Sequence, residues 1–126
     1  MHLPRAMEDY LKTILILYRE NGSVRSLDVA KTLHVTKPSV SRAMKLLRDG
    51  GFLTMDEDRL LHLTDTGRSA AEQIYERHCV LKKLLVSLGV RPETAEKDAC
   101  GMEHIVSDET LERIILFTPT AWRLSE

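Results

Sequence analysis

Apolar residues in the first twenty positions recur at helical spacing. Met7, Tyr10, Leu11, Ile14, Leu17 and Tyr18 share one side of a helix placed from about Ala6 to Glu20, with Asn21-Gly22 as its stop and Asp9 and Lys12 off the main stripe. Ser26 can cap a short second helix over LDVAKTLH, and Val35-Thr36 forms a tight turn with Thr36 as a candidate cap. A third helix follows from about Lys37 to Arg48, with Pro38 tolerated in its first turn and Val40, Ala43, Met44 and Leu47 facing inward. Asp49-Gly50-Gly51 ends it. FLTM and LLHLT then read as two short strands around the polar turn Asp56-Glu57-Asp58-Arg59, a hairpin.

After Thr64-Asp65 the helical period returns from about Thr66 to Leu88, with Ala70, Ile74, Leu81, Leu84, Leu85 and Leu88 on one side before Gly89. Pro92 opens a helix through about Val106. Ser107-Asp108-Glu109 caps a last one, whose LERIILF is apolar enough to require a partner surface. The tail TPTAWRLSE carries no strong pattern. Helix, helix, turn, helix and hairpin in that order is the layout of a winged helix-turn-helix. The fold expected is therefore mainly α, an N-terminal winged helix-turn-helix over residues 1–70 followed by a helical domain over residues 71–126.

At 126 residues the chain can bury one modest core, or a core with a helical extension. Its 43% apolar and 29% charged residues suit a soluble globular protein, and no window approaches the roughly 18 uncharged apolar residues of a membrane span. MHLPRAMEDY lacks the apolar core and cleavage site of a signal peptide, so the cytoplasm is the expected compartment. Two cysteines, Cys79 and Cys100, suit ligation or packing better than a disulfide framework.

The net charge of −1 averages over regions that differ. From Arg25 to Arg48 six positive residues (Arg25, Lys31, Lys37, Arg42, Lys45, Arg48) face one negative, Asp28, for a local charge of +5 that suits a polyanion. The last third is acidic instead, with Glu93, Glu96, Asp98, Glu103, Asp108, Glu109 and Glu112.

The second motif helix of a helix-turn-helix enters the major groove by its N-terminal part, where short polar and basic side chains reach bases and phosphates. TKPSVSR supplies Thr36, Lys37, Ser39, Ser41 and Arg42 there, and Pro38 offers an apolar contact for a thymine methyl. Arg42 is the candidate for a guanine; Arg25, Lys31, Lys45 and the wing residue Arg59 suit phosphate, which positions the duplex without reading it. An ordinary amphipathic helix with a solvated basic face explains the charge alone, but not the charge together with the turn and wing.

In DACGMEHIVSDE, residues 98–109, Cys100, Glu103 and His104 stand at i, i+3 and i+4, so a thiol, a carboxylate and an imidazole share one helical face and can share one cation. His78 lies among Ile74, Leu81 and Leu85, where an unpaired imidazole is costly to bury. It is either a ligand or a core histidine bonded to a carbonyl. No nucleophile elbow, Gly-rich phosphate loop or HExxH stretch supports an enzyme.

MEDYLKTI near the start, TKPSVSR in the third helix, LTDTGR after the wing, YERH on the long helix and ACGMEHIVSDE near the end together resemble the diphtheria-toxin-repressor family, which includes the manganese-transport regulators. The match spans roughly residues 4 to 117. The resemblance implies a cytoplasmic homodimeric repressor: divalent iron or manganese binds between DNA-binding and dimerisation helices, and the loaded dimer binds a palindromic double-stranded operator, silencing metal-uptake genes. The second domain then becomes a dimerisation and metal-binding domain. The family's further SH3-like domain is not expected over these 126 residues, whose length resembles the short manganese-regulator form.

Carried over, the family's metal ligands fall on Asp9, His78, Cys100, Glu103 and His104. Asp9 resembles the manganese branch and Cys100 the iron branch; the thiolate favours iron, cobalt, nickel or zinc, and the carboxylates suit manganese or iron. The expected cofactor is Fe2+ or Mn2+, with Co2+, Ni2+ or Zn2+ as surrogates. Lys12 and Lys82 stand where family branches carry acidic ligands, and an ammonium cannot ligate a cation, so one main metal site is expected. Metal should fix the spacing of two recognition helices across the dimer, and because ligands must deprotonate, activation should weaken in acid. The alternative is a winged-helix regulator that answers another ligand or binds DNA without metal.

Overall fold

A computed structural model describes residues 3–117; the patternless tail over 118–126 lies outside the described residues. Among the described residues six helices and one hairpin follow in the order α1 (Arg5–Asn21), α2 (Ser26–Leu33), α3 (Lys37–Asp49), β1 (Leu53–Met55), β2 (Leu61–Leu63), α4 (Asp65–Ser87), α5 (Pro92–Met102) and α6 (Asp108–Phe117). The chain divides into two compact units, residues 1–72 and 73–126.

In the first unit α1 packs on α2, α3 and β2. Gly22, at φ 80°, turns the chain out of α1 and returns its N–H to the Tyr18 carbonyl, a left-handed cap that suits glycine. The cap of α2 falls one residue before Ser26: the Arg25 N–H donates to Asp28 Oδ2 at 2.9 Å, because the carboxylate three residues on reaches back to it. Thr36 caps α3 as expected, its Oγ1 accepting from the Ser39 N–H at 3.3 Å. Leu11, Ile14, Val24, Val29, Val40, Met44, Leu47 and Leu61 are fully buried here, and each large apolar side chain so removed from water contributes about 1.5–3 kcal/mol. The hairpin is antiparallel, with Leu53 opposite Leu63 and Met55 opposite Leu61.

The hairpin is tied to the start of α4 through Thr64. Its hydroxyl donates to the Gly51 carbonyl at 2.7 Å and accepts from the Gly67 N–H at 3.1 Å, while its own N–H donates to the Phe52 carbonyl at 3.1 Å. Gly67 makes that approach possible, since a Cβ there would stand 2.0 Å from the Phe52 oxygen. Gly67→Ala therefore forces backbone apart from backbone. We expect a loss of about 3 kcal/mol, the upper end for overpacked sites, read as a lower urea midpoint; a midpoint within error of wild type would show that the helix start yields freely.

In the second unit Ile74, Val80, Leu81, Ala95 and Ala99 are buried. Two expected boundaries differ. α4 ends at Ser87, not Leu88: Gly89 at φ 98° reverses the chain, and Leu88 is left 70% exposed instead of on the apolar side. α5 ends at Met102 rather than near Val106; Gly101 weakens its last turn, and Ile105 and Val106 return their N–H groups to the Met102 carbonyl in a turn. Ser107 then opens α6, its Oγ accepting from the Thr110 N–H at 3.1 Å. Arg77 of α4 holds this turn, donating to the Val106 carbonyl at 2.5 Å and to the Asp108 carboxylate.

Candidate metal centre and nucleic-acid face

On the first unit, Lys37, Pro38, Ser39, Ser41 and Arg42 are all exposed along the N-terminal half of α3, and Lys45 is exposed one turn beyond Ser41. Thr36 is exposed too, but its hydroxyl is engaged with the Ser39 hydroxyl at 2.9 Å, so both serve the cap. Lys45 stands 3.5 Å from Asp49 across one turn, a solvated pair of little energetic weight.

The hairpin loop is ordered by contacts that no sequence pattern announces. Asp56 accepts from the Asp58 and Leu60 N–H groups at 2.9 Å each and pairs with His62 Nε2 at 2.8 Å. The His62 hydrogen bond, with those backbone donors behind it, holds the Asp56 carboxyl below the usual carboxylate range. Arg25 reaches the same loop, donating to the Asp58 carbonyl at 2.6 Å, and Arg59 sits at its tip with φ 65°. Arg25 thus ties the start of α2 to the wing.

On the second unit His78, Glu103, Cys100 and His104 form one connected group. His78 is buried and Glu103 is 1% exposed, with His78 Nδ1 2.8 Å from Glu103 Oε1. His104 Nε2 lies 3.4 Å from the other Glu103 oxygen. Cys100 Sγ is 3.8 Å from His78 Nδ1 and 3.6 Å from Glu96 Oε2. Cys79 and Cys100 both remain thiols.

Glu96 was not among the residues expected here. Its Oε2 lies 2.9 Å from His78 Nε2 and its Oε1 2.9 Å from Lys82 Nζ. Burial works against the charged form, but the hydrogen bonds from Lys82 and His78 outweigh it and hold the Glu96 carboxyl below its ordinary range. The one available signal was its i, i+4 spacing to Cys100 on α5.

The donor set suits a divalent cation. Nitrogen, oxygen and sulfur ligands about 2.0–2.3 Å from one ion stand roughly 3–4 Å apart, the range in which these groups lie. His78 turns each ring nitrogen to a different carboxylate, an arrangement that a second ring proton or a bound cation completes. His78, Glu96 and Cys100 bring ligand atoms within 4.8 Å of one another.

Two family models match this chain. The iron dependent repressor, N-terminal DNA binding domain, matches residues 2–61, and the iron dependent repressor, metal binding and dimerisation domain, matches residues 64–119. The chain belongs to the iron-dependent repressor family. A family relative, the transcriptional regulator MntR of Escherichia coli O6:H1, is 41% identical over 117 residues, 93% of this chain and 76% of that protein. Among solved members of the fold, a manganese-dependent transcriptional repressor in complex with manganese is 31% identical with a TM-score of 0.79, covering 87% of this chain and 51% of its own. A hypothetical protein from Sulfolobus solfataricus is 25% identical with a TM-score of 0.70, covering 94% of this chain and 92% of its own. This repressor family comprises metal-dependent DNA-binding transcriptional regulators that use divalent iron or manganese, and the mainly helical fold with an N-terminal helix-turn-helix is the family's.

Of the expected ligands, His78, Cys100, Glu103 and His104 come together within the second unit. Asp9 lies on α1, part-buried, and Lys12 on the same helix is buried. No described helix is long and apolar enough to cross a membrane.

Proposed function

We propose that this chain is a cytoplasmic, homodimeric transcriptional repressor, not an enzyme, that binds a palindromic operator controlling metal-uptake genes when loaded with iron(II) or manganese(II). Cys100, Glu103 and His104 are its principal ligands, with His78 beside them and Asp9 added from the resemblance. Within the second unit, the buried Glu103 carboxylate contacted by two imidazoles carries the reading. An uncompensated carboxylate is too costly to place there without protons or a cation to meet it. On the first unit, Arg42 and the Lys37 to Ser41 stretch read and grip the duplex, while Lys45 and Arg59 hold phosphate. Arg25 contributes to phosphate binding through the end of its guanidinium that the wing leaves unused, and mainly by holding the wing in place.

When bound, the metal supplies a positive charge shared by groups that otherwise repel, so it shifts the population toward the arrangement competent for DNA. The test is operator binding by the purified chain with iron(II) under anaerobic conditions, with manganese(II), and with chelator. Tight binding is expected only with metal. Equal binding in chelator would favour a regulator of another kind, and no binding in any state would sink the repressor reading. The thiol pulls selectivity toward iron, and Cys100→Glu is expected to move it toward manganese; an unchanged preference would remove the thiol from the ligand set.

A further inference from the structure

His78 presents its two nitrogens to two different carboxylates: Nδ1 to the buried Glu103, and Nε2 to Glu96, whose second oxygen is held by Lys82. Lys82 follows His78 by one turn on α4, and Cys100 follows Glu96 by one turn on α5, so the two i, i+4 pairs meet side chain to side chain. The Glu96 side offers an imidazole nitrogen, a carboxylate and a thiol within 4.8 Å, chemistry that by itself suits a second divalent ion. One thing there is not a ligand. The Lys82 ammonium, 2.9 Å from Glu96 Oε1, already supplies positive charge and an N–H donor to that carboxylate.

We infer that Lys82 is a tethered cation that takes the place of a second metal ion on the Glu96 side of His78, so that each chain binds one divalent ion. The inference rests on the metal-dependent reading above and adds how the single-site stoichiometry is set, through the contact of Lys82 with Glu96. A divalent ion drawn to Glu96 would have to displace the ammonium and then remain beside it, in like-charge contact, with the side chain anchored one turn from His78. The same contact holds Glu96 aimed at His78 Nε2, which fixes the ring whose other nitrogen faces Glu103.

The experiment counts metal on the purified full chain by equilibrium dialysis against manganese(II) with elemental analysis of the protein fraction. Wild type is expected to hold one manganese per chain. Lys82→Glu, which replaces the ammonium by a further carboxylate, is expected to hold two, and the double variant Lys82→Glu with Glu96→Gln to return to one. Circular dichroism checks that each is folded. Should Lys82→Glu not fold, Lys82→Gln carries the test, because loss of the ammonium alone frees Glu96 and is expected to admit a second manganese at least tenfold weaker than the first. Two metals on wild type, or one on every Lys82 variant, would overturn the inference. No metal on wild type would instead defeat the metal-dependent reading beneath it.

Discussion

Glu103→Gln is expected to cut metal affinity by at least the ~10–100-fold that loss of even an outer partner of a ligand costs, and with it metal-dependent operator binding. The amide keeps the shape of the side chain and can still accept from His78, so the change isolates the charge. Glu103 is 1% exposed and lies 2.8 Å from His78 and 3.4 Å from His104, so one buried carboxylate meets both imidazoles of the second unit's group. Glu103→Ala should do the same and additionally lower stability by about 1–3 kcal/mol, because a buried imidazole loses its partner. Competition against a fluorescent chelator reads the first effect and urea denaturation the second. A Glu103→Gln variant that binds metal as wild type does would show that the carboxylate only orders the two imidazoles.

Arg42→Ala is the second large effect expected. Arg42 stands exposed one turn and a half into α3, on a helix whose inward positions Val40, Ala43, Met44 and Leu47 fix its rotation. A guanidinium bidentate to a guanine contributes about 1–3 kcal/mol, so affinity should fall roughly 10–100-fold for each half-site of the operator, with discrimination relaxed at one base pair in each. Lys37→Ala provides the contrast: without that ammonium on a phosphate, all sequences bind more weakly by the same factor, and the salt dependence of binding falls by about one unit of slope. Anisotropy titrations against single-base operator variants at several salt concentrations separate the two. Equal losses on every variant for Arg42→Ala would place that side chain on the backbone.

Much of the architecture was written in punctuation. Gly22, Gly89, Pro38 and Pro92 set helix ends because their backbone preferences act locally, and the apolar spacing from Val40 to Leu47 fixed the buried side of α3. The end of α5 escaped because a turn of αR residues continues the helical spacing for several positions without continuing the helix. His78, Cys100, Glu103 and His104 could be named from residue type and family resemblance. Glu96 could not, since in sequence it is one acidic residue among several and becomes distinctive only when Lys82 and His78 meet its two oxygens. Arg25 was legible as a cation but not as a wing support, because its acceptor is a main-chain carbonyl 33 residues away.

Arg77 has a kinetic consequence. It clamps the Val106 carbonyl and Asp108 to α4, one residue before His78 on that helix, while Glu103 and His104 lie just ahead of the clamped turn. The four side chains of the second unit therefore share one frame set by the chain's own hydrogen bonds, and capture there requires no folding step. Uptake of metal by that unit should then keep pace with the exchange of water on the ion, so the protein answers a rise in free metal without a folding delay.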